Sequence, residues 1–170
     1  MPESWNTRLT RWGFNWFPAY RATGGRLTYI ADDWREVRVR LSLTRRTRNY
    51  VGTLFGGSLY GALDPIYMIM LIKVLGPDYE VWDKAASIRF RRPGRTTLHA
   101  TFRLEEAALD AIRQAVALHG KAERTFKVEW ADDAGEVHAV CEKVLSIRGL
   151  THEAQREQLA ITINASRPGQ

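Results

Sequence analysis

The stretch that decides the fold runs from Asn49 to Gly76 and reads NYVGTLFGGSLYGALDPIYMIMLIKVLG. It opens as a polar, glycine-rich turn and continues as a segment that is apolar on every side from Leu59 to Ile72. A surface helix shows one apolar stripe, whereas a helix that is apolar all round must be buried all round. We therefore predict a long helix at the centre of the core.

Asp64 is the one carboxylate inside this apolar run, and Pro65 follows it. A charge in dry surroundings is costly unless it is paired, hydrogen-bonded or directed at a wet cleft. Asp64 is therefore either a working group or a polar repair of the kink that proline introduces, since Pro65 donates no hydrogen bond. A membrane-spanning helix is a third interpretation, which we disfavour because Asp64 and Pro65 would lie in mid-span.

Gly56 and Gly57 begin the predicted helix, where the first amides have no intrahelical partner and suit a carbonyl oxygen or a developing oxyanion. Asp64 follows Gly57 by seven residues, which is about two turns and roughly 10 to 12 Å along the axis. This distance is too large for both groups to reach one reacting carbon within one chain. A catalytic site would need a second, antiparallel copy of the helix, so the spacing indicates a dimer.

Length and composition set the class of protein. The chain has 170 residues, 45% of them hydrophobic and 26% charged, which are ordinary values for one globular domain. Cys141 is the only cysteine, so no intrachain disulfide can form, and together with the absence of a recognisable signal peptide this predicts a cytoplasmic protein. The net charge of +6 permits binding of phosphates, anionic lipid or nucleic acid. We expect no nucleic-acid binding, because no binding motif accompanies the charge, and no metal site, because no zinc spacing occurs.

Three regions are predicted along the chain: an N-terminal helical segment (1–24), a main domain (25–148) and a C-terminal helical or frayed tail (149–170). The first region carries four large apolar residues at helical spacing, namely Trp5, Leu9, Trp12 and Trp16. This spacing is typical of an amphipathic helix on a membrane surface or of a helix that covers one end of its own core. We favour the second interpretation and expect no stable membrane insertion.

Alternating apolar and polar residues predict the strands of the main domain. They lie at 26–31, 34–43, 84–92, 95–104, 121–131 and 136–148, with a short helix at 105–118. In the third strand Ala86, Ile88 and Phe90 are predicted to face the core, and the less regular phase near Val140 and Cys141 predicts a bulge. One wholly apolar helix followed by antiparallel hairpins predicts an α+β domain in which a sheet curls around the helix.

This pattern resembles the hotdog fold, in which an antiparallel sheet wraps one long central helix. The motif resembles that of hotdog acyl-CoA thioesterases of the phenylacetyl-CoA type, which read Asn, then Gly, then His-Gly-Gly, then a helix Asp. The matching residues here are Asn49, Gly52, Phe55, Gly56, Gly57 and Asp64. The chain is also similar to an uncharacterised group of thioesterase-like hotdog domains with a Phe-Gly-Gly motif and a Val-Trp-Asp-Lys-Ala-Ala segment, here residues 81–86.

The resemblance implies a role for three residues. The Gly56 amide would polarise the carbonyl of an acyl-CoA or related thioester, Asp64 of a second subunit would act as nucleophile or general base, and Asn49 would hold the thioester or water. It further implies a homodimer or homotetramer and no cofactor other than the coenzyme A of the substrate. Because Phe55 replaces the family's His, a non-catalytic hotdog protein that binds acyl chains or acyl-CoA is the alternative.

Further substrate contacts are predicted from Phe55, Gly57, Arg45, Arg46, Arg48 and Lys84. Guanidinium groups are well suited to coenzyme A phosphates, although a solvated sheet face explains the arginines equally well and a plain ion pair explains Lys84. The Asp-to-His pair of hotdog hydratases is missing, because Ile69 stands where the His would be. The histidines are interpreted as structural or solvated, and Cys141 has no visible activating partner.

Overall fold

A computed structural model describes residues 2–150 of the chain. The elements in chain order are α1 (Trp5–Trp16), α2 (Pro18–Thr23), β1 (Gly25–Ile30), β2 (Glu36–Leu41), α3 (Gly56–Gly61), α4 (Ile66–Leu75), β3 (Tyr79–Phe90), β4 (Leu98–Arg103), α5 (Glu106–His119), β5 (Lys121–Ala131) and β6 (Val137–Gly149). The strands form one antiparallel sheet in the order β1-β2-β4-β5-β6-β3. The predicted α+β hotdog architecture is confirmed.

The core lies between the sheet and the helical run α3–α4. Leu63, Met70 and Leu71 are fully buried, and the ring of Tyr67 packs against Phe102 of β4 at 4.9 Å and Phe126 of β5 at 4.7 Å between ring centroids. By length and mean hydropathy (1.4) the run Gly56–Leu75 is also apolar enough to cross a membrane. Its buried residues contact the sheet of its own domain, as a core helix does.

Strand alternation follows the sequence in the middle of the sheet. In β2, Val37, Val39 and Leu41 are buried while the arginines between them are exposed. The facing residues of β4 are also buried, and Val39 pairs with Ala100 in the ladder. Because side chains on a strand alternate with a period of two, one register brings every apolar residue of both strands onto the helix side.

The third strand departs from the prediction in length and burial. It spans Tyr79–Phe90 rather than 84–92, and Ala86 and Phe90 are exposed while Ile88 is half-buried. The prediction is confirmed for Ile88, which packs against the core. The predicted burial of Ala86 and Phe90 was wrong, because β3 is an edge strand that pairs only with β6. Its beginning is covered, as buried Val81 shows, and the remainder is open along one side.

The irregularities of the sheet also lie elsewhere than predicted. Val140 and Cys141 pair in continuous register with β3 and β5, so the bulge predicted there was wrong. The register shifts instead at Lys84 of β3, between Asp83 and Ala85, and at His138 of β6, since Trp130 pairs with Ala139 and Ala131 with Val137.

The N-terminal segment forms two helices, because the chain bends at Phe17 and Pro18 occupies the first position of α2, which its fixed φ favours. The large apolar residues of α1 point outward, with Trp5 68% and Trp12 65% exposed. The prediction that this aromatic face covers the core was therefore wrong, and the opposite face of α1 packs on the domain through Thr7 and Phe14. Of the predicted tail, residues 151–170 lie outside the described residues, and the predicted domain division stays a prediction.

Candidate functional site

The helical run is tightened between α3 and α4, in front of Pro65. The Leu63 amide donates to Tyr60 O (2.9 Å) and the Ile66 amide to Leu63 O (3.2 Å), three residues back instead of four. The Leu59 and Ala62 carbonyls consequently lose the amide donors that a regular α-helix would supply. A buried carbonyl without a partner is costly, so the turn needs donors from elsewhere in the fold.

Side chains from three other elements donate to the carbonyls of Leu59, Ala62 and Asp64 in this turn. Trp130 Nε1 of β5 donates to Leu59 O (2.8 Å), and the Tyr20 hydroxyl of α2 donates to Ala62 O (3.1 Å). Lys143 Nζ of β6 donates to Asp64 O (2.8 Å). The repair of the turn is therefore made by groups that donate. An ionised carboxylate only accepts hydrogen bonds, so the Asp64 side chain cannot itself satisfy a freed carbonyl.

The Asp64 carboxylate is held by two donors on one of its oxygens. Its Oδ1 accepts from the Tyr60 hydroxyl (2.7 Å) and from Lys143 Nζ (2.7 Å). Lys143 also pairs with Asp83 Oδ1 at 3.0 Å. The lysine side chain is 1% exposed, whereas that of Asp64 is 44% exposed. The cluster thus combines one buried cation with two carboxylates that both reach solvent, Asp64 more than Asp83 (28% exposed).

The ionisation of this cluster follows from its contacts. Burial would raise the pKa of Asp64, but the hydrogen bonds from Lys143 and Tyr60 and the lysine charge outweigh it, so the pKa is lowered. Burial would lower the pKa of Lys143, but its bonds to Asp64 and Asp83 outweigh that effect and raise it. Burial and the bond to Asp64 raise the pKa of Tyr60 to about 12. Asp64 is therefore ionised and Tyr60 protonated at neutral pH.

Sequence reasoning missed Lys143 and Tyr60 as members of this site, and it considered Asp83 beside Lys84 without connecting it to Asp64. A signal for the lysine existed, because Lys143 shares the phase of Cys141 and Leu145, which are buried on the same strand. A charged residue in the inward phase of a strand needs a charged or hydrogen-bonding partner, and Asp64 was the obvious candidate in the core helix. No periodic signal distinguishes Tyr60 from the other apolar positions of the run.

A cavity of about 390 Å³ opens at the N-terminal end of the helical run, beside Gly56. Its lining includes the predicted site residues Asn49 and Gly56, together with Leu59, Phe90 and Arg91. Asp64 is not among the lining residues. Asp64 follows Gly56 by eight positions, which is about 12 Å at the rise of an α-helix. Within the part of the chain that the structure describes, one subunit therefore does not bring the glycine amide and the carboxylate into one cavity.

The first turn of α3 lies under two phenylalanine rings. A Cβ on Gly57 would lie 2.3 Å from the ring of Phe55, and one on Gly56 would lie 3.1 Å from the ring of Phe90. A side chain at Gly57 would therefore require the Phe55 ring to move, and one at Gly56 would require a small shift of the Phe90 ring. Phe55 is 54% exposed, and it is the residue before the helix but offers no side-chain cap.

Asn49 is engaged in the loop that leads to the helix. Its Nδ2 donates to Thr53 Oγ1 (2.9 Å) and its Oδ1 accepts from the Thr53 amide (2.9 Å). The loop passes through Gly52, whose φ of +83° favours glycine. The Asn49 side chain thus stabilises the loop beside the cavity, and its contact with a thioester or water stays a prediction.

The predicted basic contacts lie at different places. Arg45, Arg46 and Arg48 are exposed in the loop before α3 and form no ion pair within residues 2–150. Lys84 pairs with Glu123 across the sheet and does not line the cavity. Two further arginines line it, Arg91 and Arg92, and Arg92 pairs with Glu136 at 2.9 Å.

Other titratable groups are occupied by structural partners. Burial raises the pKa of Cys141 to about 11, so the thiol stays protonated at neutral pH. Asp132, Glu136 and His138 bring one potential metal-ligating atom each within 4.8 Å of one another. Asp132 caps its own turn by accepting from two amides, and His138 contacts Pro93 O (3.2 Å) and Asp132 (3.3 Å). This cluster therefore serves the loop beside the cavity, and the absence of a metal stays a prediction.

Comparisons with known proteins agree with the fold. The family described as "Domain of unknown function (DUF4442)" matches residues 7–147. No curated protein matches the sequence. The solved structures that resemble it include a protein of unknown function from Pseudomonas aeruginosa, described as a probable thioesterase, with 22% identity, coverage of 88% of this chain and 99% of that one, and a TM-score of 0.76.

Two more distant structures have the same fold. A protein of unknown function from Chlorobaculum tepidum is 16% identical, covers 84% of this chain and 94% of its own, and has a TM-score of 0.67. A thioesterase from Haemophilus influenzae is 14% identical, covers 82% of this chain and 90% of its own, and has a TM-score of 0.60. At these identities the likeness concerns the fold.

Proposed function

The chain belongs to the DUF4442 family, and we propose that it is a thioesterase that hydrolyses an acyl-CoA or a related thioester in the cytoplasm without a cofactor. The observation that carries the proposal is the Asp64 carboxylate, which is 44% exposed, ionised, and held by Lys143 and Tyr60 in an otherwise apolar helical run. Its acceptor-only chemistry does not suit it to repair the turn at Pro65. The probable and named thioesterases among the structural neighbours support the same reaction class.

The proposed site is shared between two subunits of a homodimer, which could pair further into a tetramer. The separation of Gly56 and Asp64 supports this arrangement, since one helix holds them about 12 Å apart. The open edge of β3 supports it as well: the strand has 12 residues, and Trp82 and Phe90 on it are 61% and 55% exposed. A long exposed edge strand is a template for pairing with another chain.

In the proposed reaction the free Asp64 oxygen of one subunit bonds to the thioester carbon bound at Gly56 of the other. The carbonyl oxygen takes the negative charge beside the Gly56 amide, and the C–S bond then breaks to release a thiolate that takes a proton from water. The hydroxide left by that proton transfer attacks the resulting acyl anhydride, which releases the carboxylic acid and restores the Asp64 carboxylate. A lowered pKa favours this nucleophilic role over that of general base, because a base works best with a pKa near the operating pH.

The cavity beside Gly56 is the proposed place of the thioester, with Phe55 and Gly57 at its rim. Exposed arginines surround this end of the helix, namely Arg45, Arg46, Arg48 and Arg91. They suit the phosphates of coenzyme A, because guanidinium groups bind phosphate oxygens in pairs. Lys84 contributes less to this proposal, since Glu123 already neutralises it.

A second candidate is a non-catalytic protein that binds acyl chains or acyl-CoA. Phe55 favours it, because the resembling thioesterases have His there, and Asn49 favours it too, because both polar atoms of its side chain are committed to the loop. A panel of acyl-CoA substrates with detection of free thiol decides between the two. Thiol release with at least one substrate supports the enzyme, whereas binding of acyl-CoA without release on any of them supports the second candidate.

A further inference from the structure

Helix α1 carries an exposed apolar face on the outside of the domain. We call it the aromatic stripe, and its residues with their exposed fractions are Trp5 (68%), Leu9 (55%), Trp12 (65%), Trp16 (59%) and Phe17 (59%). At 100° per residue the four helical members fall within an arc of about 60°. A contiguous apolar patch of this kind on a soluble protein marks an interaction surface.

The opposite side of α1 fixes the helix so that the stripe stays outside. The two Glu3 carboxylate oxygens accept from Arg11 at 2.7 and 3.1 Å, and Ser4 caps the helix with Thr7. Asn15 donates to Leu27 O (2.9 Å) and accepts from the Leu27 amide (2.8 Å). A rotation that buried the tryptophans would break these bonds, so the outward direction of the stripe belongs to the folded state.

The charge around the stripe is of one sign. Between Glu3 and Asp32 the sequence has no acidic residue and four arginines, Arg8, Arg11, Arg21 and Arg26. Arg11 is neutralised by Glu3, but Arg8 and Arg21 are exposed beside the stripe. The guanidinium of Arg21 lies 5.0 Å from the centre of the Trp16 ring. The surface therefore combines aromatic rings with exposed guanidinium groups.

We propose that the aromatic stripe binds the surface of an anionic lipid bilayer. Tryptophan and phenylalanine prefer the membrane–water boundary, where an apolar ring is buried near polar headgroups, and arginines beside them are attracted to anionic lipid phosphates. With 12 residues, α1 is too short to span a bilayer and lies in its plane. The proposal is independent of the thioesterase activity.

A second copy of the chain fits this surface less well. A symmetric contact through the stripe brings the same patch of both subunits together. Arg8 and Arg21 of each copy would then approach those of the other, and like charges repel, while Glu3 is already paired with Arg11. An anionic lipid surface provides the missing negative charge.

Vesicle flotation of the full chain tests the proposal. The wild type should float with vesicles of phosphatidylcholine and phosphatidylglycerol, and less with phosphatidylcholine alone or at high salt. The double variant Trp12→Gln, Trp16→Gln should bind at least about tenfold more weakly, because two large rings no longer enter the bilayer. Leu118→Gln is the matched control, since Leu118 is an exposed apolar residue (77%) on another helix, and it should float like the wild type.

Three results would overturn the proposal. The first is a wild type that does not float with anionic vesicles, and the second is a double variant that floats as well as the wild type. The third is a smaller mass for the double variant than for the wild type in light scattering without lipid, since the stripe would then join two copies. The replaced side chains are exposed, so melting temperatures should be nearly unchanged, and arginine variants (Arg8→Gln, Arg21→Gln) should weaken only the binding to anionic vesicles.

Discussion

Replacing Asp64 by Asn tests the ion pair and the proposed reaction together. The amide keeps the size of the side chain and still accepts the bond from Tyr60, but it removes one negative charge from Lys143, which is 1% exposed. A hydrogen bond to a charged group contributes about 1.5 to 3 kcal/mol. The low end applies here, because Asp64 is 44% exposed and Asp83 remains 3.0 Å from the lysine. We expect a loss of about 1.5 kcal/mol, or about 3 to 6 °C in melting temperature for a chain of this length.

The pH dependence of this loss has a definite sign. The folded protein lowers the pKa of Asp64 below its ordinary value of 3.8. The group therefore stabilises the fold fully above that value, and the contribution is lost as the pH falls through the lowered folded pKa. The stability difference between wild type and Asp64→Asn should be constant near neutral pH and shrink below about pH 4. A difference that does not change with pH would contradict the ion pair.

Activity is measured on the same two proteins as thiol release from acyl-CoA. Asp64→Asn should abolish hydrolysis, because a neutral amide neither attacks the acyl carbon nor takes a proton from water. Asp83→Asn is the matched control, since it removes the other carboxylate of Lys143 and should cost similar stability while hydrolysis stays within a few-fold. Hydrolysis by Asp64→Asn within a few-fold of the wild type would refute the catalytic role.

Three further predictions concern assembly, charge and the core. Light scattering should show a dimer or tetramer at micromolar concentration, and a folded monomer would remove the shared site. Replacing the loop arginines Arg45, Arg46 and Arg48 by glutamine should weaken coenzyme A binding and reduce its dependence on salt. Unchanged binding would mean that these side chains are solvated and do not contact coenzyme A. Trp130→Phe leaves the buried Leu59 carbonyl without its donor and should cost about 2 kcal/mol, measured by denaturant unfolding; an unchanged midpoint would mean that another donor replaces the indole.

The central helix and the inner strands could be predicted because their signals are local. A helix that is apolar all round must lie in the core, and apolar and polar residues alternate without interruption in β2 and β4. The outcome for β3 could not be predicted in this way. Its alternation gives the face of each residue, but burial depends on what covers that face, and Ala86 and Phe90 on this edge strand remain open.

The same reasoning explains the aromatic stripe. Helical spacing identified Trp5, Leu9, Trp12 and Trp16 as one face, and that face exists. Its direction was decided by polar contacts on the other side, above all Asn15 with the Leu27 backbone and Glu3 with Arg11. Periodicity says which residues point together, but a hydrogen bond between residues 12 apart in sequence is not visible to it.

At the candidate site the sequence identified Asp64 but not the residues that bind its side chain. Asp64 was identified because a carboxylate in an apolar helix is costly, but its partner Lys143 lies 79 residues away. Since Lys143 is the partner, a purely structural role for Asp64 would be that of its counter-ion. The turn at Pro65 needs hydrogen-bond donors, Lys143 is one of them, and a buried lysine needs a negative charge beside it. Asp83 alone would meet that need, with a contact of 3.0 Å. Asp64, as the second carboxylate, gives the cluster a net negative charge and is the more exposed of the two. Packing of the helix does not require this arrangement, whereas the proposed nucleophilic attack does.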